Sequence, residues 1–263
     1  AALFSYLVQA ARQAQRGDLA GAQKTLSDMA EENSRSEFAP FALYQAALYS
    51  EQQGLDRNLQ KAHELLEKLV KDYPRDELVF YARLKQGDLL RKLNDFGSAR
   101  LVYEDLINNR GQHPDVLLAQ LALADSLFAQ GTNNVANYES AAALYERLRD
   151  LPSATIDLRV EAGYKWGFAL SRRGRGPEAI GALWGVVDAF LLDASTAAKL
   201  GAKGRWWMAK TLLELGQQLE DLGKLDEAQR AYQLIVDNQL GGVAEATAKL
   251  ARFRAAPVEA AKP

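Results

Sequence analysis

The chain has 263 residues, of which 48% are hydrophobic and 25% charged, a balance that supports a folded core and excludes disorder over most of its length. Its formal charge is −2 with acidic and basic residues interleaved, which gives no general attraction to a phosphate backbone and excludes nucleic acid as a partner class. Cysteine is absent, so disulfides, thiolate metal sites and cysteine nucleophiles are excluded together, and no apolar run approaches the roughly 18 residues needed to span a bilayer.

The chain begins Ala1-Ala2 without methionine, which reads as a processed chain or an excised segment. From there one phrase recurs: GDLAGAQKTL from Gly17, NDFGSARLVY from Asn94 and GKLDEAQRAY from Gly223. Each places a turn residue first, an alanine five later (Ala22, Ala99, Ala228) and a large apolar residue four beyond (Leu26, Tyr103, Tyr232). The segment around Gly174 fits the same frame with Ala179 and Leu183; copies after Gly54 and Gly131 have longer turns, leading to Ala62 with Leu66 and Ala141 with Tyr145. Successive alanines lie 40, 37, 42, 38 and 49 residues apart. Seven residues before each turn residue stands a second small side chain: Ala10, Ala47, Gly87, Ala124, Gly167 and Gly216. Two antiparallel helices that cross closely admit only hydrogen or methyl at the contact point.

Between these marks the apolar spacing is helical, as in Leu65, Leu66, Leu69 and Val70, and in Leu101, Val102, Leu106 and Ile107 around Tyr103. Tyr73-Pro74, His113-Pro114 and Leu151-Pro152 close pairs, because proline cannot continue a helix. In chain order the reading gives helix pairs at about 3–32, 38–72, 76–110, 115–151, 156–193 and 197–239, then a capping helix at about 243–254, all within one array over 1–255. The Pro/Ala-rich tail 256–263 is expected to be flexible.

The small positions, the alanines and the aromatic Tyr103, Tyr145 and Tyr232 resemble the tetratricopeptide repeat family over almost the whole chain. The repeats are longer than the family's roughly 34 residues and lack its early tryptophan, which keeps a related helical-pair family with longer helices as the alternative. The resemblance implies an all-α, right-handed superhelical solenoid of about six antiparallel helix pairs with a C-terminal capping helix. It further implies a non-catalytic scaffold that binds a peptide or protein in a concave groove lined by the first helices, without cofactor. Long arrays of this kind resemble those of bacterial cell-envelope proteins.

In the family frame, positions ten, six and three residues before the turn face the groove. The resulting candidates are Tyr44, Leu48, Asp88, Arg91, Asp125, Phe128, Tyr164, Phe168 and Gln217, with Glu51, Leu84, Leu121, Ser171, Leu213 and Glu220 in the same frame. Aromatic anchors beside charges suit a protein ligand; the alternative is that Tyr44, Tyr164 and Phe168 pack against adjacent helices. Arg205-Trp206-Trp207 reads either as an exposed anchor beside a cation or as packing on the preceding pair. The short run Arg172-Arg173-Gly174-Arg175 makes no extended basic stripe. His63 and His113 have no ligand-spaced partner, and neither a phosphate-cradling glycine loop nor a serine elbow occurs, so no enzyme is expected. Two other readings stay open: a spacer within a larger protein, and a small-molecule regulator with a pocket lined by Tyr164, Trp166 and Phe168.

Overall fold

The computed structural model describes residues 2–132 and 134–255, so the tail 256–263 lies outside the described residues. Among them there is no strand, and no helix is long and apolar enough to cross a membrane. The chain forms two compact units, residues 1–129 and 130–263.

The first unit carries α1 (Ala2–Gln15), α2 (Leu19–Glu32), α3 (Ala39–Gln52), α4 (Asp56–Asp72), α5 (Leu78–Lys92), α6 (Phe96–Asn109) and α7 (Val116–Gln130, whose last residue passes the unit boundary). Successive helices from α1 to α6 pack on one another, and α3 also touches α5. On α7, Ala119 sits against Phe80 and Leu106, and Ala122 against Ala99 and Tyr103. The repeated turn residues have a local cause: Gly17, Gly54 and Asn94 hold φ of 84°, 77° and 62°, a left-handed conformation that side chains other than glycine and asparagine resist. Just after two of these turns, Asp18 and Asp95 accept the Gly21 and Ser98 backbone N–H at 2.8 and 3.1 Å and so cap α2 and α6.

The small positions also have a cause. Gly87 lies under the ring of Tyr103, where even a methyl group would overlap the ring. Tyr103 is fully buried, and its hydroxyl passes beyond the crossing to donate to Asp88 at 2.8 Å. In the second unit Gly216 lies under Tyr232 in the same way, and that hydroxyl reaches Glu220. Gly167 lies under Leu183. Each glycine therefore exchanges its own volume for that of the residue four beyond the repeated alanine.

The second unit carries α8 (Val135–Asp150), α9 (Ile156–Arg172), α10 (Gly176–Val187), a π-helical turn (Asp188–Leu192), the short α11 (Ala194–Ala197), α12 (Ala202–Asp221), α13 (Leu225–Asp237) and α14 (Val243–Ala255). The long interval before Ala228 is explained here: the π-turn and α11 lie between α10 and α12, so the first helix of the last pair starts at Ala202 instead of about 197. Asp157 at the start of α9 accepts the Gly201 N–H at 2.8 Å and fixes where α12 begins. At the other end α14 packs on α13, with Ala246 buried and Phe253 stacked on Tyr232 at 6.3 Å, so the last pair's apolar side is covered.

Candidate protein-binding faces

In the first unit the face is built on α3, α5 and α7. Glu51 on α3 receives Lys92 at 2.6 Å and Lys85 at 3.2 Å from α5. Arg91 on α5 lies 3.9 Å from Asp88 and 3.7 Å from Asp125 on α7. Glu51, Lys85, Asp88, Arg91, Lys92 and Phe96 line a cleft of 370 Å³. Burial pushes the Glu51 carboxyl up, but Lys92 and Lys85 outweigh it and hold the group below the ordinary glutamate value. Burial wins at Asp88, which stays above the ordinary aspartate value although Tyr103, Lys85 and Arg91 oppose it. Tyr44 is half-buried, and its hydroxyl is pushed up by burial and by the charges of Asp88 and Glu51. Tyr44, Asp88, Arg91 and Asp125 thus come together, while Leu48 and Phe128 are half-buried on the same helices.

In the second unit the face is built on α9 and α12. Phe168 stacks with Tyr164 at 5.9 Å between ring centroids, Tyr164 meets Trp207 at 5.2 Å, and Trp207 meets Trp206 edge-on at 4.5 Å. Cations lie over this row: Arg172 over Phe168 at 5.1 Å, Lys165 over Trp207 at 5.2 Å, and Lys210 over Trp206 at 4.4 Å. Trp206 is 49% exposed. Below the row, Glu161 is 5% exposed and binds Lys165 at 2.8 Å and Lys203 at 2.7 Å. Burial pushes Glu161 up, but the two lysines outweigh it and hold it below the ordinary glutamate value. Gln217, further along α12, is exposed; it donates to Asp221 at 2.9 Å and accepts from Lys249 of α14 at 2.6 Å.

A second cleft, of 660 Å³, lies on the opposite side of α9, where Trp166, Ala142, Glu146, Arg175, Gly181 and Ala182 are among its lining residues. Arg149 lies over Trp166 at 4.5 Å. Trp166 is two residues from Tyr164 and therefore about 200° around the helix. The pocket expected from Tyr164, Trp166 and Phe168 is accordingly not formed: the helical period places Trp166 on the far side from the other two.

The family profile of the tetratricopeptide repeat matches residues 81–113, which begin inside α5 and run through α6 into the turn before α7. Among solved structures, a tetratricopeptide repeat protein from Parabacteroides merdae ATCC 43184 superposes with a TM-score of 0.58 at 12% identity, covering 89% of this chain and 79% of that one. The pilF protein of Pseudomonas aeruginosa gives 0.55 at 14% identity, covering 97% and 98%. MamA, residues 41 to the end, from Desulfovibrio magneticus RS-1 gives 0.52 at 19% identity, covering 71% and 93%. The fold is the tetratricopeptide repeat fold. No curated protein matches the sequence.

In the tetratricopeptide frame, the residues missed by the sequence reading are the cations over the rings and the buried Glu161. A signal for them exists: Lys165 follows Glu161, and Lys210 follows Trp206, at the i, i+4 spacing that puts two side chains on one helix face. The Arg205-Trp206-Trp207 segment divides three ways. Arg205 donates to the Asn238 carbonyl at 2.8 Å, Trp207 packs on Tyr164 of the preceding pair, and Trp206 stays half-exposed with Lys210 as its cation. The arginine run likewise disperses, with Arg172 over Phe168, Arg173 on Glu139 at 3.0 Å and Arg175 on Glu178. His113 stacks on Phe80 at 3.7 Å and accepts the Asp115 N–H at 3.1 Å, which accounts for it as a turn residue.

Proposed function

We propose that this protein is a non-catalytic scaffold that binds a protein or peptide across its first helices, with the α9–α12 face of the second unit as the main contact. The observation that carries this reading is the row Phe168, Tyr164, Trp207 and Trp206, which ends in a tryptophan 49% exposed. A half-exposed tryptophan on an otherwise packed ring row does little for the fold, whereas aromatic anchors of this kind contribute most of the energy in protein interfaces. The face containing Tyr44, Leu48, Asp88, Arg91, Asp125 and Phe128 is assigned the lesser role, because its charges are already paired within the unit. Gln217 is placed at the edge of the contact, where Lys249 already engages it. The displaced pKa values of Glu51 and Glu161 are accounted for by their lysine partners and that of Asp88 by burial, and none needs a catalytic role.

The test is a random-peptide display selection on the full chain, with each recovered peptide re-measured on a Phe168→Ala, Trp206→Ala variant whose circular dichroism and melting match the parent. Peptides whose binding weakens at least about tenfold on the variant support the reading. Recovered peptides that bind both proteins equally would remove the α9–α12 face from the function.

A further inference from the structure

The cleft beside Trp166 lies where a second helix meets the first helix of the next pair, and the first unit has the same junction between α4 and α5. Glu67 on α4 and Glu146 on α8 each come five residues after the repeated alanine, Ala62 and Ala141. On the following helix Gln86 and Trp166 each stand one residue before the crossing glycine, Gly87 and Gly167, and Arg83 and Gly163 stand four before it. In the first unit these positions close on one another: the Gln86 amide donates to Glu67 at 2.8 Å, and Arg83 lies 3.5 Å from the same carboxylate. In the second unit both donors are gone. Gly163 has no side chain, and the Arg149 stem lies across it, while Trp166 carries the Arg149 guanidinium over its ring at 4.5 Å. Among the described residues no hydrogen bond or ion pair reaches Glu146. Arg175 is within range of its charge but gives its Nε hydrogen bond to Glu178 at 2.8 Å.

We infer that this cleft binds a small organic cation, an ammonium or guanidinium on an apolar body, whose charged group meets Glu146 in place of the donors that Glu67 finds within the first unit. The charge balance selects the sign. The charged side chains lining the cleft, with the ion-pair partners they reach outside it, are four carboxylates (Glu139, Glu146, Asp150, Glu178) and three guanidiniums (Arg149, Arg173, Arg175). Each guanidinium already has a carboxylate, so an anionic ligand finds no free cation, and the charge left over is that of Glu146. The lining selects the body, since Trp166, Leu170, Ala142 and Ala182 put apolar surface beside that carboxylate. Gly181 keeps the space open: glycine is unfavourable inside a helix, yet nothing lies within 4 Å of the position its side chain would take. The volume of 660 Å³ falls within the roughly 300 to 1,000 Å³ of small-ligand sites. Although three carboxylates line the cleft, among the described residues no three acidic or histidine side chains converge as a metal site, which favours an organic cation over a metal ion. The site is on the other side of α9 from the ring row and does not depend on it.

The experiment follows the tryptophan indole N–H signals of the isotopically labelled full chain by NMR while phenethylamine, phenethyl alcohol or phenylacetate is added. Phenethylamine is expected to shift the Trp166 signal, identified by its loss in Trp166→Phe, and to bind at least about tenfold tighter than the alcohol, with phenylacetate weakest. Glu146→Gln, at an exposed position without a partner, should bring amine and alcohol to the same affinity. Glu67→Gln and the Phe168→Ala, Trp206→Ala variant should leave amine binding unchanged. Equal affinity of amine and alcohol on the parent overturns the cationic ligand, and a preference for the amine that survives Glu146→Gln overturns the site. Magnesium ion that displaces phenethylamine at a lower concentration overturns the proposal in favour of a metal. A ten-residue polyalanine-based peptide with one lysine, if it moves the Trp166 signal at lower concentration than phenethylamine, overturns the small molecule in favour of a partner's side chain.

Discussion

The α3–α5–α7 face of the first unit and the α9–α12 face of the second are both built on the first helices of their pairs, yet they end in different electrostatic states. In the first, Lys85, Arg91 and Lys92 are matched by Glu51, Asp88 and Asp125, and nothing with a full charge is left without a counter-charge. In the second, Phe168 stands six residues before its turn, where the first unit has Asp88 and Asp125, and Arg172 and Lys210 rest on the rings of Phe168, Trp206 and Trp207. The repeat therefore separates two tasks within one helix. Positions at the crossing decide whether the pair forms, and positions a turn away decide what the surface offers. A surface whose charges are paired internally gains stability and little reach; one with cations over rings keeps an unmet demand for anions.

The crossing positions are where both units should break in the same way, and with the largest effect. Gly87→Leu in the first unit and Gly216→Leu in the second each drive a side chain into a fully buried tyrosine ring. Each is expected to cost about 1 to 3 kcal/mol by overpacking, read as a lower urea midpoint. If either variant unfolded at the parental midpoint, the pairing of small residue with large ring would not be what holds that unit's helices together.

Acid should separate the units. Glu161 has a folded-state pKa below the ordinary value near 4.5, so it contributes stability that is fully present above that value and is lost as the pH falls through the lowered one. Glu220 in the same unit is shifted the same way: burial raises it, but Tyr232, Lys249 and Arg252 prevail. In the first unit Glu51 has the same sign, but Asp88 has the opposite one, since a raised pKa favours the fold at low pH and the advantage disappears as the pH rises through it. Glu161→Gln is expected to cost about 1 to 3 kcal/mol at pH 7, because it leaves Lys165 and Lys203 without their carboxylate. The gap between variant and parent should close once the pH falls well below 4.5. A gap of equal size at pH 7 and at every lower pH down to acid unfolding would mean that Glu161 acts through packing and not through its charge.

What the sequence discloses divides along the same line. Turn residues and crossing residues recur because each copy needs them for the same local reason, so Gly17, Asn94 and Gly223, or Gly87 and Gly216, can be found by comparing the chain with itself. The π-turn at Asp188–Leu192 occurs in one copy, and the periodicity shows it only as an interval that is too long. The candidate faces were half-legible. A repeat frame locates Tyr44, Asp88 and Tyr164 on their helices, but whether a charge is paired depends on residues such as Glu51 and Lys92, 41 positions apart on different helices. No single-helix pattern carries that information. The i, i+4 spacing of the cations over the rings is visible in the sequence, but charge on a helix surface is common and the spacing alone does not single them out.

The smallest expected effect turns on a glycine that follows neither rule. Gly181 is inside α10, exposed, with nothing within 4 Å of the position a side chain would take, and it lines the cleft beside Trp166. Unlike Gly87 and Gly216, it is demanded neither by a crossing nor by a left-handed turn, and a glycine inside a helix costs about 1 kcal/mol relative to alanine. Gly181→Ala should therefore stabilise the second unit by about 0.4 to 1 kcal/mol, seen as a raised urea midpoint with an unchanged denaturant slope. The same substitution at Gly216 should move the midpoint the other way, because there the added methyl meets the Tyr232 ring. If Gly181→Ala instead lowered the midpoint, α10 would be using that open position for a contact made outside the unit's own core. The division between crossing positions and surface positions would then need a third class.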